Sequence, residues 1–313
     1  MDHDLLPRLP RRLVAVVLLT ACGSATEPPT TRTPDLPVAL ISSPVNDVTQ
    51  TQLVLASADG RTTRTLSTFA GPKWSVLWSP DGKRLAFTGA RPDASGAYPV
   101  GLDLWVVNAD GTGLQQLTTD KATGPFVWLP DGRILRQQLG ASPPGWTTVP
   151  AGAGGALPIG SYNGVPVSDL AVSRDGAHVA FRSSSGVYVA AFDGTGARLL
   201  GPGVAPRWSP AGDRVAYGAP PLTDSTNWTV VIARADGTGT SVRIPTAPRT
   251  DQLWTLTWTP DGSRIAWISS QHNVFRAVTA PADGSGAPAP VVARSASATD
   301  YDLSIDWRPT ATP

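Results

Sequence analysis

Chemistry that moves protons or makes bonds needs nucleophiles and bases, and this chain has few. Its 313 residues include three histidines and one cysteine. His3 lies in a basic and apolar leader. His178 stands where sister segments carry arginine, so it is expected to cap a turn, and His272 sits in SSQHNVF between two β-like runs. A general base needs a partner within hydrogen-bond reach, and no G-x-S-x-G or H-E-x-x-H run supplies one. Asp169, Arg207, Asp302 and Asp306 interrupt otherwise apolar segments. Convergent carboxylates suit an oxygen-coordinated cation such as Ca²⁺, but only the fragment DYD at Asp300 to Asp302 approaches a D-x-D-x-D-G loop. These residues predict no metal, no cofactor and no catalysis. The alternative is a carbohydrate-active lyase or hydrolase using the acidic residues at a channel mouth.

The elements that would position such residues emerge from internal repetition, which decides the fold before any local reading. WSPDGKRLAF begins at Trp78, and related runs are WLPDGRIL at Trp128, VSRDGAHVAF at Val172, WSPAGDRVAY at Trp208 and WTPDGSRIAW at Trp258, with a truncated WRP at Trp307. Successive anchors lie 50, 44, 36, 50 and 49 residues apart. A second series interleaves: ADG at Ala58, ADGTG at Ala109, AGAGG at Ala151, FDGTG at Phe192, ADGTG at Ala235 and ADGSG at Ala282. Asp-Gly between apolar runs is a strong hairpin signal, because glycine accepts the positive φ of a tight turn. Each unit therefore reads strand, SPDG turn, strand, variable loop, strand, DGTG turn, strand.

Six of each series imply six four-stranded blades, offset at the termini. Val38 to Thr68 supplies three strands with no tryptophan strand before them, and DYDLSIDWRP (Asp300 to Pro309) is a first strand with nothing after it. The expected fold is all-β, a six-bladed β-propeller closed by pairing three N-terminal strands with one C-terminal strand. Radial repetition of this kind also protects sheet edges.

The W-S-P-D-G-x-R-[LIV]-A-[FYW] run followed by LWVVNADGTGLQQLT resembles the repeat of the TolB-type β-propellers, a WD40-like repeat also found in the propeller domains of prolyl-oligopeptidase-like enzymes. The resemblance covers about Val38 to Pro309. It implies a propeller, and propellers host binding, scaffolding and catalysis alike.

At the N-terminus, Arg8, Arg11 and Arg12 precede LVAVVLL (Leu13 to Leu19), an apolar core too short to span a bilayer, which needs about 20 residues. Leu-Thr-Ala-Cys at Leu19 to Cys22 resembles a bacterial lipobox. By that resemblance residues 1–21 are a lipoprotein signal peptide, and Cys22 is lipidated and holds the protein in the membrane. More than one acyl chain gives stable anchoring. Residues 22–37 (CGSATEPPTTRTPDLP) lack apolar periodicity and are expected to form an extended tether. Residues 38–309 are the propeller and 310–313 a tail. The expected location is the bacterial cell envelope, facing the periplasm or the exterior.

With 25 basic and 24 acidic residues, no electrostatic footprint for nucleic acid exists, and a monomer is expected. Eleven tryptophans and 41% hydrophobic residues supply a core, while 31 glycines and 31 prolines suit a turn-rich β chain. Both Asp-Gly turn series fall on one face, so variable loops occupy the other, where recognition of a protein, peptide or glycan is expected. Candidate contacts there are Arg91, Asp93 and Tyr98 in RPDASGAYPVG, and His272. Counting back from the anchors in twos predicts a channel lining of Val76, Trp74, Phe126, Leu170, Leu256 and Trp254, with Lys73 beside Trp74 at the mouth. Asp169, Arg207 and Asp302 complete the candidate set.

Overall fold

The structure, a computed structural model, describes residues 35–43, 47–66, 68–141, 145–149, 161–163, 165–184, 186–221, 227–246, 253, 255–271, 274–292 and 301–310. The described residues all belong to one compact unit, Pro34–Pro313. The leader, Cys22, Trp254 and His272 lie outside the described residues.

Strands β1 (Val38–Ser43), β2 (Gln52–Ala56) and β3 (Thr63–Leu66) begin blade 1. Blade 2 is β4 (Lys73–Trp78), β5 (Arg84–Gly89), β6 (Asp103–Asn108) and β7 (Gln115–Gln116). Blade 3 is β8 (Thr123–Trp128), β9 (Ile134–Gln138) and β10 (Gly145–Val149), and a short ribbon of β11 (Ser161–Tyr162) and β12 (Val165–Pro166) follows. The expected outer strand of blade 3, after AGAGG, falls outside the described residues. Blade 4 is β13 (Ser168–Val172), β14 (His178–Ser183), β15 (Gly186–Ala191) and β16 (Arg198–Gly201). Blade 5 is β17 (Val204–Trp208), β18 (Arg214–Ala219), β19 (Thr229–Arg234) and β20 (Val242–Pro245). Blade 6 is β21 (Leu256–Trp258), β22 (Arg264–Gln271), β23 (Val274–Pro281) and β24 (Ala289–Pro290). The last strand, β25 (Tyr301–Trp307), returns to pair antiparallel with β1, giving blade 1 the order β25-β1-β2-β3. The expected closure of the six-bladed propeller is therefore observed.

Each SPDG turn is held by its aspartate. Asp81 Oδ1 accepts from the Ser79 hydroxyl at 2.6 Å and from the Lys83 amide at 3.1 Å, while Gly82, at φ +66°, bonds back to Ser79. Where Ala211 replaces that aspartate, Asp213 accepts from the Ser209 hydroxyl instead, at 2.8 Å. The repeated Asp-Gly is a corner, because its carboxylate is consumed by local donors.

Period-two alternation sends successive strand residues to opposite faces, and each face meets a neighbouring blade. On β1, Ala39 and Ile41 pack against Val76, Trp78, Leu85 and Phe87 of blade 2, whereas Val38 and Leu40 pack against Ala266 and Ile268 of blade 6. Every pair of adjacent blades shares a buried cluster in this way. The anchor tryptophans tie the blades by hydrogen bonds as well. Trp128, Trp208 and Trp258 donate Nε1–H to the carbonyls of Leu77, Ala171 and Arg207 on the preceding blade, at 3.2, 3.3 and 3.2 Å.

Above these indoles lies a second seal. At two interfaces the repeat arginine of one blade covers the tryptophan of the next: Arg84 lies 5.2 Å from the Trp128 ring centroid and Arg214 4.9 Å from that of Trp258. At the closure the repeat cannot supply it. The pairing Trp307↔Val38 corresponds to Trp78↔Leu85, which places Pro37 where Arg84 stands. Arg308 fills the gap from the C-terminal segment, 5.6 Å from the Trp78 ring, and its guanidinium also pairs with Asp35.

Candidate functional site

The inner strands β4, β8, β13, β17, β21 and β25 surround the axis, and their bulges decide which side chains face it. Register shifts interrupt β4, β8, β13, β17 and β25 before the anchor position. A bulge inserts one residue and re-aims its neighbours. The residues three before the anchor (Ser75, Pro125, Asp169, Ala205, Thr255 and Ser304) line the cavity at the loop-face mouth, about 390 Å³. Those one before (Leu77, Val127, Ala171, Arg207, Thr257 and Asp306) line the cavities toward the other mouth. Of the expected lining, Val76, Phe126 and Leu170 border the loop-face cavity and Leu256 does not. Their side chains are no more than 5% exposed and belong to clusters between blades. Asp169 and Ala205 occupy the bulge at φ 47° and 51°, left-handed values that aspartate tolerates better than alanine.

Arg207 borders the cavities at both mouths, so it marks the middle of the channel. Burial inside the ring pushes its guanidinium pKa down, opposed by the nearby charges of Asp306 and Asp169. Asp306 Oδ1 accepts from the Thr257 hydroxyl at 2.6 Å, and Oδ2 accepts from the Trp78 amide at 2.8 Å, so this carboxyl ties blades 1, 2 and 6 together. Burial pushes its pKa up to about 6, and the two hydrogen bonds and Arg207 only partly offset that rise. Asp169 Oδ2 accepts from the Ala205 amide at 3.4 Å and lies 3.8 Å from Arg182.

Two of the expected contacts lie elsewhere. Lys73 is 1% exposed and turned away from the mouth. Its ammonium donates to the carbonyls of Thr51, Phe69 and Gly71 at 3.1, 2.7 and 3.0 Å, clasping blade 1 to blade 2, and burial lowers its pKa to about 8. Asp302 is 2% exposed and accepts from the Ala277 amide at 3.0 Å, so it ties blade 1 to blade 6 instead of facing the channel. Trp74, in contrast, stands 41% exposed at the loop-face mouth.

Arg91, Asp93 and Tyr98 are exposed on the loop face. Asp93 closes its own turn: the Ser95 hydroxyl at 2.6 Å, then the amides of Ser95 and Ala97, hold its carboxyl below the usual range. Tyr98 lies across Gly71, where a Cβ would approach its ring to 2.8 Å. Val100 at 97% and Leu139 at 53% exposure extend this surface, which sequence reasoning did not single out. Leu139 lines the same cavity as Trp74, and with Tyr98 and Val100 these are four exposed apolar side chains on blades 2 and 3 and their loops.

His178 closes its turn through the backbone, its amide donating to the Ser173 hydroxyl at 2.9 Å and its carbonyl accepting from the Ser173 amide at 2.9 Å. Its ring lies 6.1 Å from that of Trp208 on blade 5, the place corresponding to the arginine-on-tryptophan seal elsewhere. Among the described residues, no group of three histidine, cysteine, aspartate or glutamate side chains is placed to hold a metal, and no helix is long and apolar enough to cross a membrane.

No known family profile and no curated protein matches the chain. Solved structures do. TolB from Acinetobacter baumannii is similar at 18% identity, with a TM-score of 0.67, over 88% of this chain and 67% of that one. A putative TolB from Agrobacterium tumefaciens is similar at 15% identity and a TM-score of 0.57, over 88% of this chain and all of the other. Hydrazine synthase from Kuenenia stuttgartiensis reaches 14% identity and a TM-score of 0.60, over 89% of this chain and 48% of that chain. At such identities the likeness shows the fold. The structural neighbours include TolB-type β-propellers.

Proposed function

We propose that the protein is a lipid-anchored, extracytoplasmic, non-catalytic propeller that docks a protein partner on its loop face. The apolar group of Trp74, Tyr98, Val100 and Leu139 carries this reading, since it gathers four of the six exposed large hydrophobic side chains found among the described residues. Exposed apolar side chains grouped on one face around a concave mouth are typical of docking sites. The channel below, with Arg207, Asp169 and Asp306, would receive a polar segment of that partner. A peptide or glycan ligand at the same mouth is the weaker form of the same reading.

A form lacking residues 1–22 tests it on protein, peptide and glycan arrays with product formation monitored. Saturable binding without turnover, weakened at least about tenfold in Trp74→Ala/Leu139→Ala, is the expected outcome. Turnover, or binding indifferent to both substitutions, contradicts it. The anchor has its own test. Cys22→Ser is expected to release the protein from membranes or leave it unprocessed, and wild-type fractionation and migration would remove Cys22 from that role.

A further inference from the structure

The interface between blades 4 and 5 lacks the arginine that covers the indole between blades 1 and 2, 2 and 3, and 5 and 6; between blades 6 and 1, Arg264 turns to Thr279. Blade 4 is the divergent repeat: Val172 replaces the anchor tryptophan and His178 the sealing arginine. On one side, toward blade 3, the indole is missing, and Arg133 pairs with Asp131 at 2.7 Å. On the other side the indole of Trp208 remains and its guanidinium is missing.

Glycine contacts show that the seat is vacant. A Cβ on the turn glycine of a sealed interface would meet the arginine: Arg308 at Gly82, Arg84 at Gly132 and Arg214 at Gly262. The corresponding Gly212 would meet nothing within 4 Å. His178, Trp208, Gly212, Thr195, Arg198 and Asp236 instead line an open cleft of about 470 Å³. At blades 5 and 6 the seated Arg214 also donates to the Gly262 carbonyl at 3.3 Å, and the Gly212 carbonyl is the matching acceptor in the cleft.

Two observations on blades 1 and 2 fix the chemistry of the occupant. There the seat is filled by Arg308, which does not come from the repeat position, so a guanidinium delivered from another chain segment satisfies it. Arg64 bridges that same interface to the Ala109 carbonyl at 2.6 Å, just as Arg198 bridges to the Asp236 carbonyl in the open cleft. A second cation crossing the interface is therefore accommodated where a carboxylate pairs the seated guanidinium, as Asp35 pairs Arg308; in the cleft the carboxylate at hand is Asp236, which Arg234 and Thr238 also engage.

We infer that the cleft between blades 4 and 5 binds the guanidinium of an arginine side chain presented by a partner polypeptide, held flat on Trp208. This site lies on the turn face, opposite the docking group. It is independent of the loop-face reading and survives the failure of that reading. Arginine fits the seat better than lysine because a planar guanidinium stacks on indole while still donating in its own plane.

The test follows the indole Nε1–H signal of Trp208, which is identified by its loss in Trp208→Phe, in the full-length chain. Acetyl-Gly-Arg-Gly-amide is titrated against its citrulline counterpart, which keeps the shape and loses the charge. The arginine peptide is expected to shift the signal saturably, binding about fivefold more tightly than the citrulline peptide. His178→Arg, which fills the seat from within, should abolish the shift, and His178→Ala should preserve it. Equal response to the two peptides, no response to either, or the same response in His178→Arg and His178→Ala overturns the proposal.

Discussion

The interface between blades 5 and 6 and that between blades 4 and 5 share a scaffold and differ by one side chain. In both, an indole donates to the carbonyl one residue before the preceding blade's anchor position, at 3.2 and 3.3 Å. In the first, Arg214 covers the ring and Trp258 is 5% exposed. In the second, a histidine stands 6.1 Å away and Trp208 is half-buried. The hydrogen bond is common to both interfaces, and what differs over the indole is the guanidinium, which caps the ring face; Trp128 under Arg84 is nonetheless as partly exposed as Trp208. Function in a repeat protein can thus arise by leaving out one repeated contact.

The severest way to break this comparison is to remove the closing strand. Deleting residues 300–313 takes away the β25–β1 ladder, the Asp306 ties and the Arg308 seal together. Destabilisation beyond about 5 kcal/mol is expected, seen as loss of a cooperative melt by circular dichroism. A melt like that of the full chain would refute the closure as the source of stability. Next, Trp258→Ala should cost about 3–5 kcal/mol in urea unfolding. Trp208→Ala should cost about 1 kcal/mol less, because no cation–π contact is lost with it. Equal costs would mean that the guanidinium contributes nothing.

Asp306 sharpens the comparison from the channel side. A carboxyl whose folded pKa is raised to about 6 binds its proton more readily folded than unfolded. Its contribution is fully present below about pH 4 and is lost as pH rises through 6. Relative to wild type, Asp306→Asn should therefore gain about 2 kcal/mol between pH 4 and pH 7. A pH-independent difference in urea unfolding contradicts the burial of that charge. Lys73→Met orphans three carbonyls between blades 1 and 2 and should cost about 2 kcal/mol. An unchanged midpoint would show that those carbonyls find other donors.

The propeller was legible because Asp-Gly turns and anchor tryptophans are local, and their count and end offset dictate closure. The channel lining was legible only in part: Val76, Phe126 and Leu170 border the loop-face cavity as counting in twos predicts, but a bulge adds a residue without altering the pattern, so Ser75, Pro125 and Ala205 border it too. The destination of Lys73 was hidden by the loops that supply its carbonyls, Thr51, Phe69 and Gly71, which no motif marks. The His178 substitution was visible in the repeats. Its meaning depended on Trp208, 30 residues later and on another blade, and on the empty space over Gly212.

The most direct test of the sealing account needs no ligand. His178→Arg restores the guanidinium over Trp208, and a cation–π contact of about 0.5–1 kcal/mol should raise the melting temperature by about 1–3 °C. An unchanged or lowered melting temperature would contradict the claim that the interface between blades 4 and 5 is an otherwise normal interface with its arginine left out.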